Sequence, residues 1–256
     1  MLNLTTIQDK LRFNFDGKWS DEYNLINVVL SNGMFEETFV AEREIVETSI
    51  VGSQSPIFHR IEDNPMQFDM IIAFEDGFNE DMINEISDWL FQDYYKELFF
   101  EDKTDKIYRC IAIGESSLIH NGLNQGYFTV TMRCDSSRVY SPVKIESFSV
   151  SDTAITTLNI NNSGSDTIFP EISILKKGDG NISIDINGEI FEVRDLTNLE
   201  DIYINCEREI IETDIIGVYR YDNVVGEFPK LIRGLNTIKI QGESDIKIRY
   251  REKYKI

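Results

Sequence analysis

This sequence predicts a mainly β chain with one helix, laid out as two domains. Three observations carry that expectation. Apolar and polar residues alternate at period two over much of the chain, as at Phe68, Met70, Ile72 and Phe74, which marks a half-buried strand. One segment only, after Asn79, switches strongly to helical spacing. From Lys144 onward, short β-rich runs are separated by Asn and Gly turns, the punctuation of a sandwich or jelly roll. The expected architecture is an N-terminal β domain with an extended arm and one α-helix, residues 1–138, followed by a C-terminal β-sandwich, residues 144–256.

In chain order, Leu11, Phe13 and Phe15 alternate and meet Asp16-Gly17, a strong hairpin signal. Between Phe39 and Phe68 the residues are polar or charged yet rich in β-branched types. A structureless loop of that length is uncommon in a compact domain, so an extended arm is expected there. Asn79 suits an N-cap, and Glu80 and Asp81 suit the positive end of a helix dipole. Met82, Ile83, Ile86, Trp89, Leu90 and Tyr94 follow at helical spacing, giving a helix to about Lys96 whose aromatic stripe reads as core. Strands are expected over Tyr108–Ile113, near Ser117–Ile119, and over Tyr127–Arg133, with a hairpin turn at Asn121-Gly122. The segment Asp135–Pro142 breaks the pattern and reads as the linker.

The later strands are expected at Ile155–Ile160, Glu171–Leu175, Ile182–Ile186, Ile190–Val193, Asp201–Asn205, Ile210–Thr213, Ile238–Ile240 and Ile246–Tyr250. The segment from Gly226 through Pro229 and Gly234 to Ile240 builds a tight corner and returns a strand to the sandwich, so its signal is architectural. The last strand places Lys247, Arg249, Arg251, Lys253 and Lys255 on one face, as suits a solvated edge strand.

Composition narrows the function classes. No apolar run approaches the roughly 18 residues of a membrane span, and the opening Met1-Leu-Asn-Leu-Thr lacks the basic, then apolar, pattern of a signal peptide. Folding in a cytoplasm and no membrane insertion are expected. The net charge is −20, and residues 1–142 hold 11 basic and 25 acidic residues, a balance of −14. Such a surface disfavours tight nucleic-acid binding. It serves solubility, or forms a wall past which DNA slides; charge alone leaves both readings open.

Chemistry-bearing patterns are missing from the sequence. Cys110, Cys134 and Cys206 lack metal-ligand spacing and read as buried free thiols, Cys110 and Cys134 lying in two strand-like runs that allow them to be neighbours. His59 and His120 have no cysteine or carboxylate at ligand spacing. There is no G-x-S-x-G elbow and no phosphate-cradling glycine loop. A chain this rich in carboxylates always offers some pair as a glycosidase dyad, which deprives any one pair of weight. No catalytic residue, cofactor site or metal site is expected, and the protein does not read as an enzyme.

The order of several motifs carries a family resemblance. Trp89-Leu-Phe-Gln-Asp-Tyr-Tyr-Lys96 resembles the helix end of siphovirus distal tail proteins, a phage tail component family. Phe13–Gly17, Arg43–Gly52, Pro56–Phe58, Tyr108, Asn121-Gly122, Gly126–Phe128 and Tyr140–Pro142 resemble that family's early strand, arm, later strands and linker. Asn162–Gly164, Pro170–Ile172, Asn187-Gly188 and Gly226–Ile238 resemble its second half. The resemblance implies a galectin-like C-terminal sandwich and a homo-hexameric ring at the tip of a phage tail. It implies a structural hub of the baseplate, joining the major tail tube protein to a tail-associated lysin or fibre hub, with receptor-binding proteins as further partners. DNA would pass through a channel without specific binding, and the ring would assemble in the host bacterial cytoplasm. The alternative it implies is a carbohydrate-binding host-adhesion module of the tail tip, for which Tyr203, Tyr219 and Tyr221 are the candidates, since both tryptophans, Trp19 and Trp89, precede the second domain.

Overall fold

The computed structural model describes residues 11–28, 40–151 and 155–255. They form two compact units, one of the described residues up to Tyr140 with Lys255, the other Ser141–Tyr254. Strands dominate both, and one α-helix occurs among the described residues, so the mainly β fold class is borne out.

The first unit is built on an antiparallel eight-stranded sheet. Its order is Lys18–Trp19, Phe13–Phe15, Lys96–Phe100, Tyr108–Ile113, Gly126–Cys134, Gln67–Phe74 and Leu25–Asn27, with Leu118–His120 added beside Gly126–Cys134. The Asp16-Gly17 turn closes the first hairpin with φ of 52° and 79°, the two positive values that a type I′ turn requires. Alternation sets which side chains enter the core: Met70, Ile72 and Phe74 face in from one strand, and Phe128, Val130, Met132 and Cys134 from its neighbour.

Helix α1 spans Glu80–Leu90, with the Asn79 Oδ1 accepting a hydrogen bond from the Met82 N–H at 2.8 Å. The cap stands where the sequence placed it, but the helix ends six residues before Lys96. Lys96–Phe100 pairs instead with Phe13–Phe15 and Tyr108–Ile113. Two ladders of backbone hydrogen bonds and a fully buried Leu98 outweigh continued helix, and Tyr94, 64 % exposed, leaves the apolar stripe. The Asn121-Gly122 hairpin is also longer than a two-residue turn. His120 pairs with Gly126, and the Asn121 Oδ1 accepts from the Leu123 and Gln125 N–H groups across the intervening loop.

The second unit is a sandwich of two five-stranded sheets. One runs Lys144–Val150, Ser244–Tyr250, Glu171–Lys176, Asp201–Asn205, Ile210–Thr213; the other runs Thr156–Asn162, Gly234–Gln241, Gly180–Ile186, Glu189–Leu196, Val224–Val225. Their inner faces supply one contiguous core: Ile172, Ile174, Ile202, Ile204, Ile246 and Ile248 meet Ile182, Ile184, Phe191, Val193, Ile238 and Ile240. The basic Ser244–Tyr250 strand is not at an edge, as its charge suggested. It lies between Lys144–Val150 and Glu171–Lys176, and Lys247 and Arg249 point to solvent from the middle of the sheet. The basic face does not continue either, because the strand stops at Tyr250 and Glu252 is buried.

The Gly226–Ile240 corner is architectural, as its sequence indicated. A Cβ on Gly226 (φ 95°) would stand 2.0 Å from the Ile190 carbonyl oxygen, so only glycine fits this approach. Asn236, fully buried, then ties the corner together. Its Oδ1 accepts from the Ile232 N–H and the Asn187 Nδ2, and its Nδ2 donates to the Ile232 and Gly234 carbonyls.

Candidate assembly interface

The residues considered for chemistry lie apart. His59 is exposed, with Nε2 2.8 Å from the Thr48 hydroxyl. His120 sits edge-on to Phe78 at 5.5 Å, its Nδ1 3.0 Å from the Asn121 carbonyl. Cys110 and Cys134 do meet, as directly opposite residues of paired strands, and both are free. Burial pushes the Cys134 thiol up to about 12 and the Cys110 thiol well above its usual value, and burial does the same to Cys206, to about 12. Thiols held protonated in this way are poor nucleophiles and ligands. Among the described residues no three His, Cys, Asp or Glu side chains group as a metal site.

What the chain offers instead is surface. Arg43–Thr48 and Ile57–Asp63 form a two-stranded antiparallel hairpin outside the main sheet, with a bulge between Val46 and Glu47. This is the arm the sequence implied, shorter than its estimate: Phe68 belongs to the central sheet, and Phe39 lies outside the described residues. Ile45 faces Ile61 across the pair, and Glu47 faces Phe58. Because paired residues share a face and a strand alternates, Ile45, Phe58 and Ile61 lie on one face, and all three are exposed. At the tip, Ile50 is half exposed and Val51 fully so. A lone two-stranded hairpin is marginal in water, and both outer edges of this one lack a strand partner among the described residues.

The arm is held at its base. Asp63 accepts from Arg138 at 3.0 Å and from Arg43 at 3.1 Å. The Arg138 hydrogen bond, with Arg43 and Lys255 adding to it, keeps this carboxyl below its ordinary range. Beyond the base the tip changes character: residues 48–58 contain no Asp, Glu, Lys or Arg, in a chain that is 27% charged.

The first unit also carries an apolar groove of about 330 Å³ between α1 and the sheet. Ile83 and Ile86 line it from the helix, Phe74, Leu118 and Phe128 from the strands, and Phe91 from just beyond the helix end. Its surroundings are acidic: residues 61–95 contain ten Asp or Glu and no Lys or Arg. Sequence reading missed this groove, since its walls come from three separated segments.

In the second unit, the tyrosines considered for sugar binding do not line one shared depression. Tyr203 lies on a sheet face beside a shallow depression of about 440 Å³, whereas Tyr219 (83 % exposed) and Tyr221 are on a loop with the fully exposed Ile216. That loop is pinned by Arg220, which sits in no sequence motif. Its Nε and Nη2 reach the buried Glu200 carboxylate at 2.7 and 2.6 Å, and its Nη1 reaches the Asp195 carbonyl.

Comparison with known proteins shows the family. A family model described as the phage tail protein N-terminal domain matches residues 8–136, half of the chain. The chain belongs to this family. The tail protein is 29% identical over 251 residues to the SPbeta prophage-derived uncharacterized protein YomH of Bacillus subtilis (strain 168), covering 97% of this chain and 99% of that relative. Its fold matches the crystal structure of the SPP1 Dit protein, described as a paradigm of hub adsorption apparatus in Gram-positive infecting phages. The TM-score is 0.68 with 14% identity, covering 95% of this chain and 99% of that one. The likeness to a phage tail component, read from the motif order around Trp89, Asn121-Gly122 and Gly226, is therefore borne out. At this identity the structural match bears on the fold, and it extends over both halves of the tail protein.

Proposed function

We propose that this protein is a structural hub of a phage tail tip: a hexameric ring that joins the tail tube to the lysin or fibre hub and the baseplate. The observation that carries the reading is the exposed arm, with its apolar face and unpaired edges, on a chain of a tail-protein family whose fold extends across both units. An exposed hairpin edge templates contact with another chain, and head-to-tail contacts between identical copies close into rings. The likeness to SPP1 Dit, itself described as a hub, supports this choice of place in the particle. Assembly in the bacterial cytoplasm and final residence in the virion tail follow from the same reading.

The balance of −14 before residue 143 fits a ring that DNA traverses, because a like-charged wall gains nothing from counterion release. Light scattering and negative-stain imaging of the purified protein test the proposal. Closed rings of six copies are expected; a strictly monomeric protein at all concentrations would overturn it. Deleting residues 45–60 is expected to leave the fold intact and abolish the rings.

A further inference from the structure

We propose that the α1–sheet groove of one copy receives the arm tip, Ile50 and Val51, of a second copy. The inference rests on the ring reading above and names the contact that would build it. Both halves of the contact stand unfilled on the same chain. The groove has an apolar lining around about 330 Å³. Apolar side chains gain by displacing water from such a lining. The tip presents Ile50, 49 % exposed, and Val51, fully exposed, with nothing described to cover them.

Charge selects this occupant. On α1, Glu80 lies one turn before Ile83 on the groove side, and residues 61–95 hold no basic residue. An acidic segment would be repelled, and most of this chain is acidic. The tip is one of its few exposed apolar segments without any charge, residues 48–58. Geometry agrees. Tip and groove are different patches, so their contact is heterologous, the type that propagates around a ring rather than closing a two-fold dimer. A hairpin strand of seven residues, Ile57–Asp63, spans about 23 Å at ~3.3 Å per residue.

Mixing two singly substituted full-length proteins tests the contact. Ser49→Cys marks the tip and Ser87→Cys marks the groove rim, and both positions are exposed. The native cysteines are buried, so oxidised glutathione acts on the new thiols. A disulfide-linked pair in the mixture, with much less in either protein alone, is the expected result. Val51→Asp, at a position with no native contacts to lose, is expected to raise the concentration for half-assembly about tenfold or more, as burying an unpaired carboxylate would. Rings that form normally with no cross-link and no response to Val51→Asp would refute the tip-in-groove contact and leave the ring intact. A wild type that never assembles would refute the ring reading and this contact together.

Discussion

Trp89→Ala is expected to cost the first unit about 4 kcal/mol, and the figure can be built from the side chain's surroundings. Trp89 is 4 % exposed. Its ring stacks on Tyr23 at 4.8 Å and on Phe13 at 5.8 Å, and meets Phe15 edge-on at 6.1 Å. Its Nε1–H donates to the Phe15 carbonyl at 2.9 Å. A buried aromatic hides roughly 150–250 Å², worth about 4–6 kcal/mol at ~25 cal/mol per Å². The remaining methyl and partial collapse return some of this, and large aromatic truncations cost about 3–5 kcal/mol in practice. Both tryptophans, Trp19 and Trp89, precede residue 143, so tryptophan fluorescence follows the first unit selectively, and Trp19 still reports in the variant. With a urea slope of ~2 kcal/mol per M, the midpoint should fall by about 2 M. Trp89→Phe separates packing from hydrogen bonding: it keeps a ring and loses the indole N–H, and about 1–2 kcal/mol is expected. A loss under about 1 kcal/mol for Trp89→Ala would refute the placement of this side chain at the centre of the helix–sheet core.

Other outcomes follow from the second unit and from charge. Arg220→Ala leaves the Glu200 carboxylate buried without its cation, and about 3–5 kcal/mol of destabilisation is expected in urea melts followed by circular dichroism. Burial pushes Glu200 up, but Arg220, Thr197 and Thr213 outweigh it and hold the group below its usual range. The wild-type contribution is therefore present above the unfolded carboxylate value and is lost as pH falls through the lower folded one. In the variant the Thr197 and Thr213 hydrogen bonds remain but the cation that offset burial is gone, so the folded value rises from its wild-type position and acid relieves the penalty; the gap between the two proteins should be widest near neutral pH and close on acidification. A fragment of residues 144–256 should melt cooperatively, because both sheets and their shared core lie within it; a random-coil spectrum would refute an independent second domain. The assembled protein should show no affinity for double-stranded DNA by fluorescence anisotropy at low salt, where attraction would be strongest; tight binding there would overturn the channel reading.

Features that depend on a few neighbouring residues could be read from the chain, and features that depend on distant partners could not. Asp16-Gly17 and Asn187-Gly188 stand out because their turns need positive φ at both positions, a requirement that residue type meets locally. The Asn79 cap is local in the same way. The end of α1 is not: Lys96–Phe100 has apolar residues suited to either helix or strand, and the neighbours Phe13–Phe15 and Tyr108–Ile113 decide in favour of strand. Alternation assigned Lys247 and Arg249 to a solvent face, but a face is not a place in the sheet, and the strand proved central. Glu200 and Arg220 meet across 20 residues, and neither sits in a motif.

The interface divides along the same line. The arm was legible because a polar, β-branched stretch of that length between two core strands is uncommon as a structureless loop. Its uncharged tip is written in residues 48–58. The groove was not legible, because Phe74, Ile86 and Phe128 each read as ordinary core residues in their own segments. The gap among them exists only where α1 and the strands come together. A surface that binds through a protruding segment thus announces one half of the contact in its sequence, since protrusion requires a local departure from core patterning. The receiving half is made from the core's own residues, incompletely closed, and it appears only once the elements are packed.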